Sequence, residues 1–318
     1  MRQLRLENER LRQERYFKKS HSNLQPTAKP KMKYQFIREQ QHQFQVRVLC
    51  EVLEVSESGY YAWRKRLPNQ HRQEEDEQVT IQLEAVFDQS RQTYGSPRVH
   101  GALRVKGVEC SRRRVARLMR KKGLVSCWRR KKRKVCTTDS NHNQPVAPNR
   151  LDRDFTATAV NQKWVGNITG VWTEEGWLYL ATLEDIYSRR IVGWVMSGMR
   201  DERLVEDALW MALVRRQPSS GLLHHTDRGS QYTSRSYKAV LGHYGIELSM
   251  SRKGNCWDNA VVESFFGTLK AEGTDRRSFN TRQEAKTVIF EYIEVFYNRQ
   301  RLHSSLGYVS PEIFEQTY

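Results

Sequence analysis

The sequence predicts a multidomain protein in which N-terminal all-α, helix-turn-helix modules precede an α/β core. Three observations carry this reading. Of 54 Lys+Arg and 36 Asp+Glu, residues 1–150 hold 34 and 15, a balance of +19. The remainder holds 20 and 21, a balance of −1, which accounts for the net +18. Within the basic half, an apolar helical pattern is twice followed by a turn and a Ser-capped helix with a basic end. Beyond residue 160, aromatic and β-branched runs give way to alternating helical and strand patterns, as in a sheet with a mixed edge.

Residues 2–19 read as a charged helix with Leu4, Asn8 and Leu11 at a/d-like spacing. The pattern spans barely two heptads, so a solvated helix and a zipper fragment both remain open. With the linker containing Pro26 and Pro30, this segment fills 1–32. The first helix-turn-helix module, 33–68, has Phe36, Ile37, Val46, Leu49, Cys50 and Leu53 at helical spacing. Ser56 then caps a helix bearing Tyr60, Tyr61, Trp63, Arg64 and Lys65. A plain two-helix packing unit is its alternative.

The second module, 69–134, buries Val79, Leu83, Val86 and Phe87, then starts a helix with Ser96 as N-cap and Pro97 at N1. Ser111 caps the next, with Val115, Leu118 and Met119 inward and Gly123 ending it. Thirteen Lys/Arg and no acid fall between Arg112 and Lys134, with Trp128 interleaved. Such a run is often a solvated face, but on a capped helix it reads as phosphate contact.

Residues 135–160 form a polar, Pro-containing linker, and 161–318 the core with its C-terminal helices. WVGNITGVWT and WLYLATLEDI read as a hairpin across TEEG, and RRIVGWVM as a third strand. DERLVEDALWMALVRRQ is an amphipathic helix, GLLHHTD a short buried strand, YTSRSYKAVLGHYG a helix closed by Gly245, and IELSM a short strand. Two further helices cover 257–271 and 281–300. No apolar stretch approaches the ~20 residues of a membrane span, and no signal-peptide core is present, so the expected location is cytoplasmic. Cys50, Cys110, Cys127, Cys136 and Cys256 lack zinc-ligand spacing and read as reduced thiols.

Chemistry concentrates at two carboxylates with thirty-five residues between them: Asp227, ending an apolar strand, and Glu263, on a helix whose buried side is Val262, Phe265, Phe266 and Leu269. Convergent acids at a strand end and on a crossing helix stay ionised together only around cations. Such a set holds Mg ions for in-line displacement at phosphorus. By themselves, two acids at this spacing read first as structural ion pairs.

Their surroundings decide between these readings. HTDRGSQYTS, SMSRKGNCWDNAVVESFFGTLKAE and YNRQRLHSSLGYVSPEIF closely resemble the insertion-sequence transposases of the IS-three family, which carry a retroviral-integrase-like core. YGSPRVHGAL…RRRVARLMRKKGL resembles the helix-turn-helix preceding that core, and VLEVSESGYYAWRKR its opening module. The resemblance implies a ribonuclease-H-like fold and an Asp–Asp–Glu triad falling on residue 167, Asp227 and Glu263. It implies Mg (Mn as alternative), two ions per active site, 3′-end cleavage of transposon ends, and strand transfer by transesterification. The implied partners are double-stranded DNA, as terminal inverted repeats and target, and a second copy of the chain, with no membrane. The implied setting is bacterial and nucleoid-associated.

This chain departs from the family's pattern at Asn167, where the first Asp is expected. An amide offers a carbonyl oxygen but neither charge nor the bridging of two ions. The protein is therefore expected to bind DNA without cutting it, through a deliberate inactivating substitution or, alternatively, as a decayed natural copy. A catalytically dead repressor of its own element is the second function class, and a ribonuclease-H-like hydrolase without transposition ranks last. Asp185 and Asp258 are competing acids without family support. Expected DNA contacts are Tyr60, Tyr61, Arg64, Lys65, Arg98, Arg112, Arg113, Arg114, Arg117, Arg120, Lys121, Arg129, Arg130, Lys131, Lys132, Arg228, Arg252, Lys253 and Lys270, with Arg299 and Arg301 as further candidates. Gly229, Ser230 and Gln231 extend the turn after Asp227. Asn255 and Trp257 open the loop before the Glu263 helix, and His303 has a packing role as its plainer reading.

Overall fold

A computed structural model describes residues 29–66, 70–127, 145–253 and 256–318. The charged helix at 2–19, Arg129, Arg130, Lys131, Lys132 and Asn255, and the side chain of Trp257, lie outside the described residues. The chain divides into two compact units, one reaching Gln78 and the other spanning Val79–Tyr318. No helix among the described residues is long and apolar enough to cross a membrane.

The first unit holds α1 (Pro30–Gln40), α2 (Val46–Val52) and α3 (Glu57–Arg66). They close around Ile37, Phe44, Leu49, Cys50 and Tyr60. Ser56 starts α3 by accepting from Gly59 N at 3.0 Å.

Helix α4 (Gln70–Gln89) brings Val79, Leu83, Val86 and Phe87 into the core of the second unit. There α5 (Ser96–Val105) starts one residue earlier than the capping pattern predicts. Gly95, extended at φ −84°, takes the cap position, so Ser96 and Pro97 both lie inside the first turn. Helix α6 (Arg112–Lys121) begins as expected, with Ser111 accepting from Arg114 N at 3.2 Å. This helix pair does not stand apart: its apolar side chains share one cluster with those beneath the sheet. Tyr94 Oη accepts from Leu302 N at 2.7 Å, and Arg91 pairs with Glu291 at 2.7 Å.

The sheet has five strands in the order β3-β2-β1-β4-β5. β1 (Lys163–Thr173), β2 (Gly176–Asp185) and β3 (Ile191–Ser197) form the antiparallel meander read from the sequence. β4 (Leu223–Thr226) and β5 (Glu247–Met250) add in parallel. One face is covered by α7 (Glu202–Arg216), capped by Asp201, and α8 (Arg235–His243), ended by Gly245 at φ +63°. The other is covered by α9 (Ala260–Glu272) and α10 (Arg282–Phe290), whose Phe265, Leu269 and Ile289 pack with Val165, Leu178 and Leu180. The helix expected over 281–300 changes character at Glu291–Tyr297, which winds as a π-helix before α11 (Pro311–Thr317) closes the chain.

Candidate active site

Strands β1 and β4 run parallel with Gly166 opposite Thr226. The next residues are Asn167 on β1 and Asp227 just past β4, so the register brings these two to neighbouring positions. Gly166 permits this approach: a methyl there would sit 2.9 Å from His224 Cε1. On its other side Asn167 pairs with Thr182 of β2, and Val165 pairs with Glu184. Alternation along the strands puts Asn167, Thr182 and Glu184 on the face covered by α9. That helix packs against β1 and carries Glu263 in its first turn.

Each of the three positions is half-buried. Asn167 Oδ1 accepts from the adjacent Ile168 N at 2.7 Å. Asp227 Oδ1 accepts from Gly229 N at 2.9 Å, which folds the following segment back on itself. Arg228 Nε donates to Ser251 O at 2.6 Å, and Gln231 Nε2 donates to Arg200 O at 3.1 Å. Arg228, read from sequence as a DNA contact, and Gln231 thus tether the turn to its neighbours.

Asp258 fixes the start of α9. It is fully buried and accepts from Arg252 Nε at 3.1 Å, Arg252 N at 2.9 Å, Arg153 Nε at 3.0 Å and Asn149 Nδ2 at 3.0 Å. Burial alone would raise its pKa, but the hydrogen bonds from Arg252 and Arg153 outweigh it and hold the carboxyl well below the usual range. Asp185 lies on the opposite face, accepting from Asn161 N, Tyr187 N and Trp164 Nε1, with Arg216 3.4 Å away. Both competing acids are therefore structural anchors. His224 and His225 are buried as well, the first bonded to Tyr237 Oη at 2.7 Å and the second to Ser249 Oγ at 2.8 Å.

The oxygen donors at the site suit a hard divalent cation. Asp227 and Glu263 supply charge, whereas Asn167 brings a neutral amide whose oxygen already accepts from the backbone. Among the described residues no group of three or more His, Cys, Asp or Glu converges as a metal site. Asp227 and Glu263 are the charged oxygen donors that would hold a cation, and the third acid implied by the resemblance is absent at Asn167.

Several expected DNA contacts change role. Tyr60 is fully buried against Tyr34 and Trp63, its hydroxyl 3.2 Å from Gln41 Oε1, and is corrected to a core residue. Arg98 turns inward over the Tyr94 ring, 3.5 Å from Glu272. Arg252 clamps Asp258 and reaches Asp152 at 3.1 Å. Arg301 is 3% exposed and paired with Glu272, and His303 packs edge-on to Tyr297, the plainer of its two readings. Tyr61, Arg64 and Lys65 are exposed on α3, and Arg112, Arg113, Arg117, Arg120 and Lys121 on α6. Lys253 is exposed, while Arg114, Arg228 and Lys270 are half-buried. Sequence reasoning passed over Thr182 and Glu184; the available signal was their polarity at alternate positions of an otherwise apolar strand.

The chain matches the family described as Integrase core domain over residues 157–256, a second of the same description over 244–311, and an HTH-like domain over 73–132. It is 47% identical over 270 residues to an uncharacterized 31 kDa protein of insertion element IS600 from Shigella sonnei, covering 85% of this chain and 98% of that protein. It is 43% identical over 285 residues to transposase InsF for insertion sequence IS3A from Escherichia coli (strain K12), covering 89% and 98%. A chain in the cryoEM structure of the simian T-cell lymphotropic virus intasome with PP2A regulatory subunit B56 gamma is 14% identical, with a TM-score of 0.43 over 68% of this chain and 70% of that one. With such relatives matched almost end to end, and with helix-turn-helix and integrase-type parts in that order, the chain belongs to the IS-three family of insertion-sequence transposases.

Proposed function

We propose that this transposase is built for metal-dependent 3′-end cleavage and strand transfer at its element's ends, with residue 167, Asp227 and Glu263 as the metal-binding positions, and that Asn167 switches this chemistry off. The single observation carrying the reading is the parallel register that sets residue 167 beside Asp227 under the helix bearing Glu263. A bound Mg ion supplies Lewis-acid stabilisation of charge developing at phosphorus. Asp227 and Glu263 would hold it, and the 2.9 Å bond from Gly229 N keeps the Asp227 carboxylate oriented. In cleavage, water forms a new P–O bond as the P–O3′ bond breaks and the 3′ oxygen leaves with a proton. In transfer, that 3′-OH attacks another phosphodiester, one P–O bond replacing another, so no energy-rich cofactor enters.

DNA would be gripped by the exposed basic faces of α3 and α6, and two ends would be brought together by at least two copies of the chain. A second reading, end binding without cutting, is favoured by Asn167 itself, whose oxygen is bonded to Ile168 N and whose amide brings no charge. The test is Asn167→Asp, assayed for strand transfer on the element's own ends with Mg. The expected result is activity at least about a hundredfold above the parent, a barrier change of about 2.7 kcal/mol. No gain would refute this triad assignment.

A further inference from the structure

Between the second helix pair and α9, the second unit holds a half-open cavity of about 600 Å³. Arg98 of α5, Cys127, Ser264 of α9, Glu184 of β2 and Arg189 are among the residues that line it. That volume is in the range of small-ligand sites. Glu184 is 2% exposed, yet its Oε2 has no hydrogen-bond partner, and its Oε1 is 4.0 Å from Arg189 Nη1. A buried carboxyl oxygen without a partner is costly, and it favours a polar group drawn up beside it.

The charge around this opening has a definite sign. Arg301, also on the wall, grips Glu272 through two 2.7 Å bonds, which neutralise both. Arg98 approaches the same carboxylate only at 3.5 Å, and Arg189 approaches Glu184 only at 4.0 Å. Two guanidinium groups are thus weakly engaged. His303 reports the result: burial first, then the fields of Arg301, Arg98 and Arg189, push its pKa well below 6.5, so the ring stays neutral. Three arginines line the cavity against two carboxyl groups, Glu184 and Glu272.

We propose that this cavity is a phosphate-binding site, with Arg98 and Arg189 gripping the anion and Glu184 making the third polar contact. Guanidinium forks match phosphate oxygens in charge and geometry. Glu184 does not oppose this near neutrality. Its pKa is pushed up to about 8, by burial first and with Asp185 adding, while Arg189 opposes the rise. Tyr297 from the π-helical stretch faces it as a neutral phenol raised well above 10, and Arg301 and His303 lie across the cavity. The protonated carboxyl donates to a phosphate oxygen; the carboxylate formed above pH of about 8 repels it.

The phosphate can come from a DNA strand or from a free nucleotide. DNA is the source that follows from the proposed function, on which this part alone rests: Ser264 is next to Glu263 on α9, and the chain beyond Cys127 enters the basic run.

The test titrates the full chain, with EDTA present so that no metal site contributes, against thymidine 5′-monophosphate, inorganic phosphate and thymidine by calorimetry. The two phosphates should bind and thymidine should not. Arg189→Gln should weaken binding by about tenfold or more, as should Arg98→Gln, whereas Arg235→Gln, at the exposed start of α8 on the other face of the sheet, should leave it unchanged. Raising the pH from about 7 to about 9 should weaken binding in the parent relative to Glu184→Gln. Equal binding of thymidine, or parental affinity in both arginine variants, would overturn the site. Displacement of the monophosphate by duplex DNA identifies a backbone phosphate as the natural occupant, and its retention identifies a free nucleotide. Failure of strand transfer by Asn167→Asp would overturn the functional reading and leave this site standing.

Discussion

Arg301 donates from Nε to Glu272 Oε2 and from Nη2 to Glu272 Oε1, both at 2.7 Å, and so ties the C-terminal segment to the end of α9. Tyr292 Oη adds a third bond to the same carboxylate at 2.9 Å. The side chains of Arg301 and Glu272 are only 3% and 5% exposed, so neither charge can turn to water if its partner is lost.

Removing one partner should therefore cost more than the pair contributes. Arg301→Met is expected to destabilise the second unit by about 3–5 kcal/mol, because the Glu272 charge is left buried. The double variant Arg301→Met, Glu272→Leu should recover much of that loss. Urea denaturation of parent, single and double variants measures both, and a double variant worse than the single would contradict the argument.

Gly193 sets how closely β3 approaches α7. An added methyl would collide with the carbonyl oxygen of Ala208 and lie 2.8 Å from Ala212 Cβ. Backbone cannot yield as a side chain can, so Gly193→Ala should cost about 1–3 kcal/mol by overpacking. Trimming the other side with Ala212→Gly should restore only part of it, since the Ala208 contact persists. Complete recovery in thermal melts would show that Ala212 alone sets the spacing.

What the sequence disclosed follows from how local each signal is. Ser56, Ser111 and Asp201 cap helices through bonds spanning three residues, so they are readable in a short window. The β1–β2 hairpin is equally local. Tyr60 and Tyr61 are adjacent on α3, and only the packing partner Tyr34 distinguishes the buried ring from the exposed one. Asp258 draws Asn149 and Arg153 from more than a hundred residues upstream, which no spacing rule reaches. The neighbouring positions of Asn167 and Asp227 depend on a parallel register between distant strands, so before the structure only the family resemblance could connect them.

His224 and His225 make acid stability a test of the sheet's interior. Their pKa values are pushed down to about 3 and about 4, by burial first; His225 adds to the effect on His224, while Asp258 and Asn259 partly offset it at His225. In the unfolded chain each titrates near 6.5. Between that value and the folded pKa, the unfolded state binds protons that the folded state refuses. The stabilisation is thus full above pH of about 6.5 and is lost on acidification, at up to about 1.4 kcal/mol per pH unit per histidine. Glu184 and Asp185, raised by burial, act in the opposite sense, so the informative quantity is a difference. His225→Gln should show a shallower loss of stability than the parent between pH of about 6.5 and 4.5. Parallel curves would mean that His225 does not resist protonation.

Helix α6 presents Arg112, Arg113 and Arg120 to solvent, while Val115, Leu118 and Met119 hold its other side in the core. Their exposure means that charge can be removed without disturbing packing. If these arginines neutralise DNA phosphates, each releases a counterion, and log K for duplex DNA falls with log salt by about 0.9 per contact. Replacing all three with Gln should weaken binding at low salt and flatten the slope by roughly 2.7, three times that increment. Melting temperature should stay within a degree or two, because surface changes of this kind rarely move stability by more than about 0.5 kcal/mol. A weaker complex with an unchanged slope would mean that the helix acts other than by contacting phosphate, and an unchanged affinity would place the DNA elsewhere.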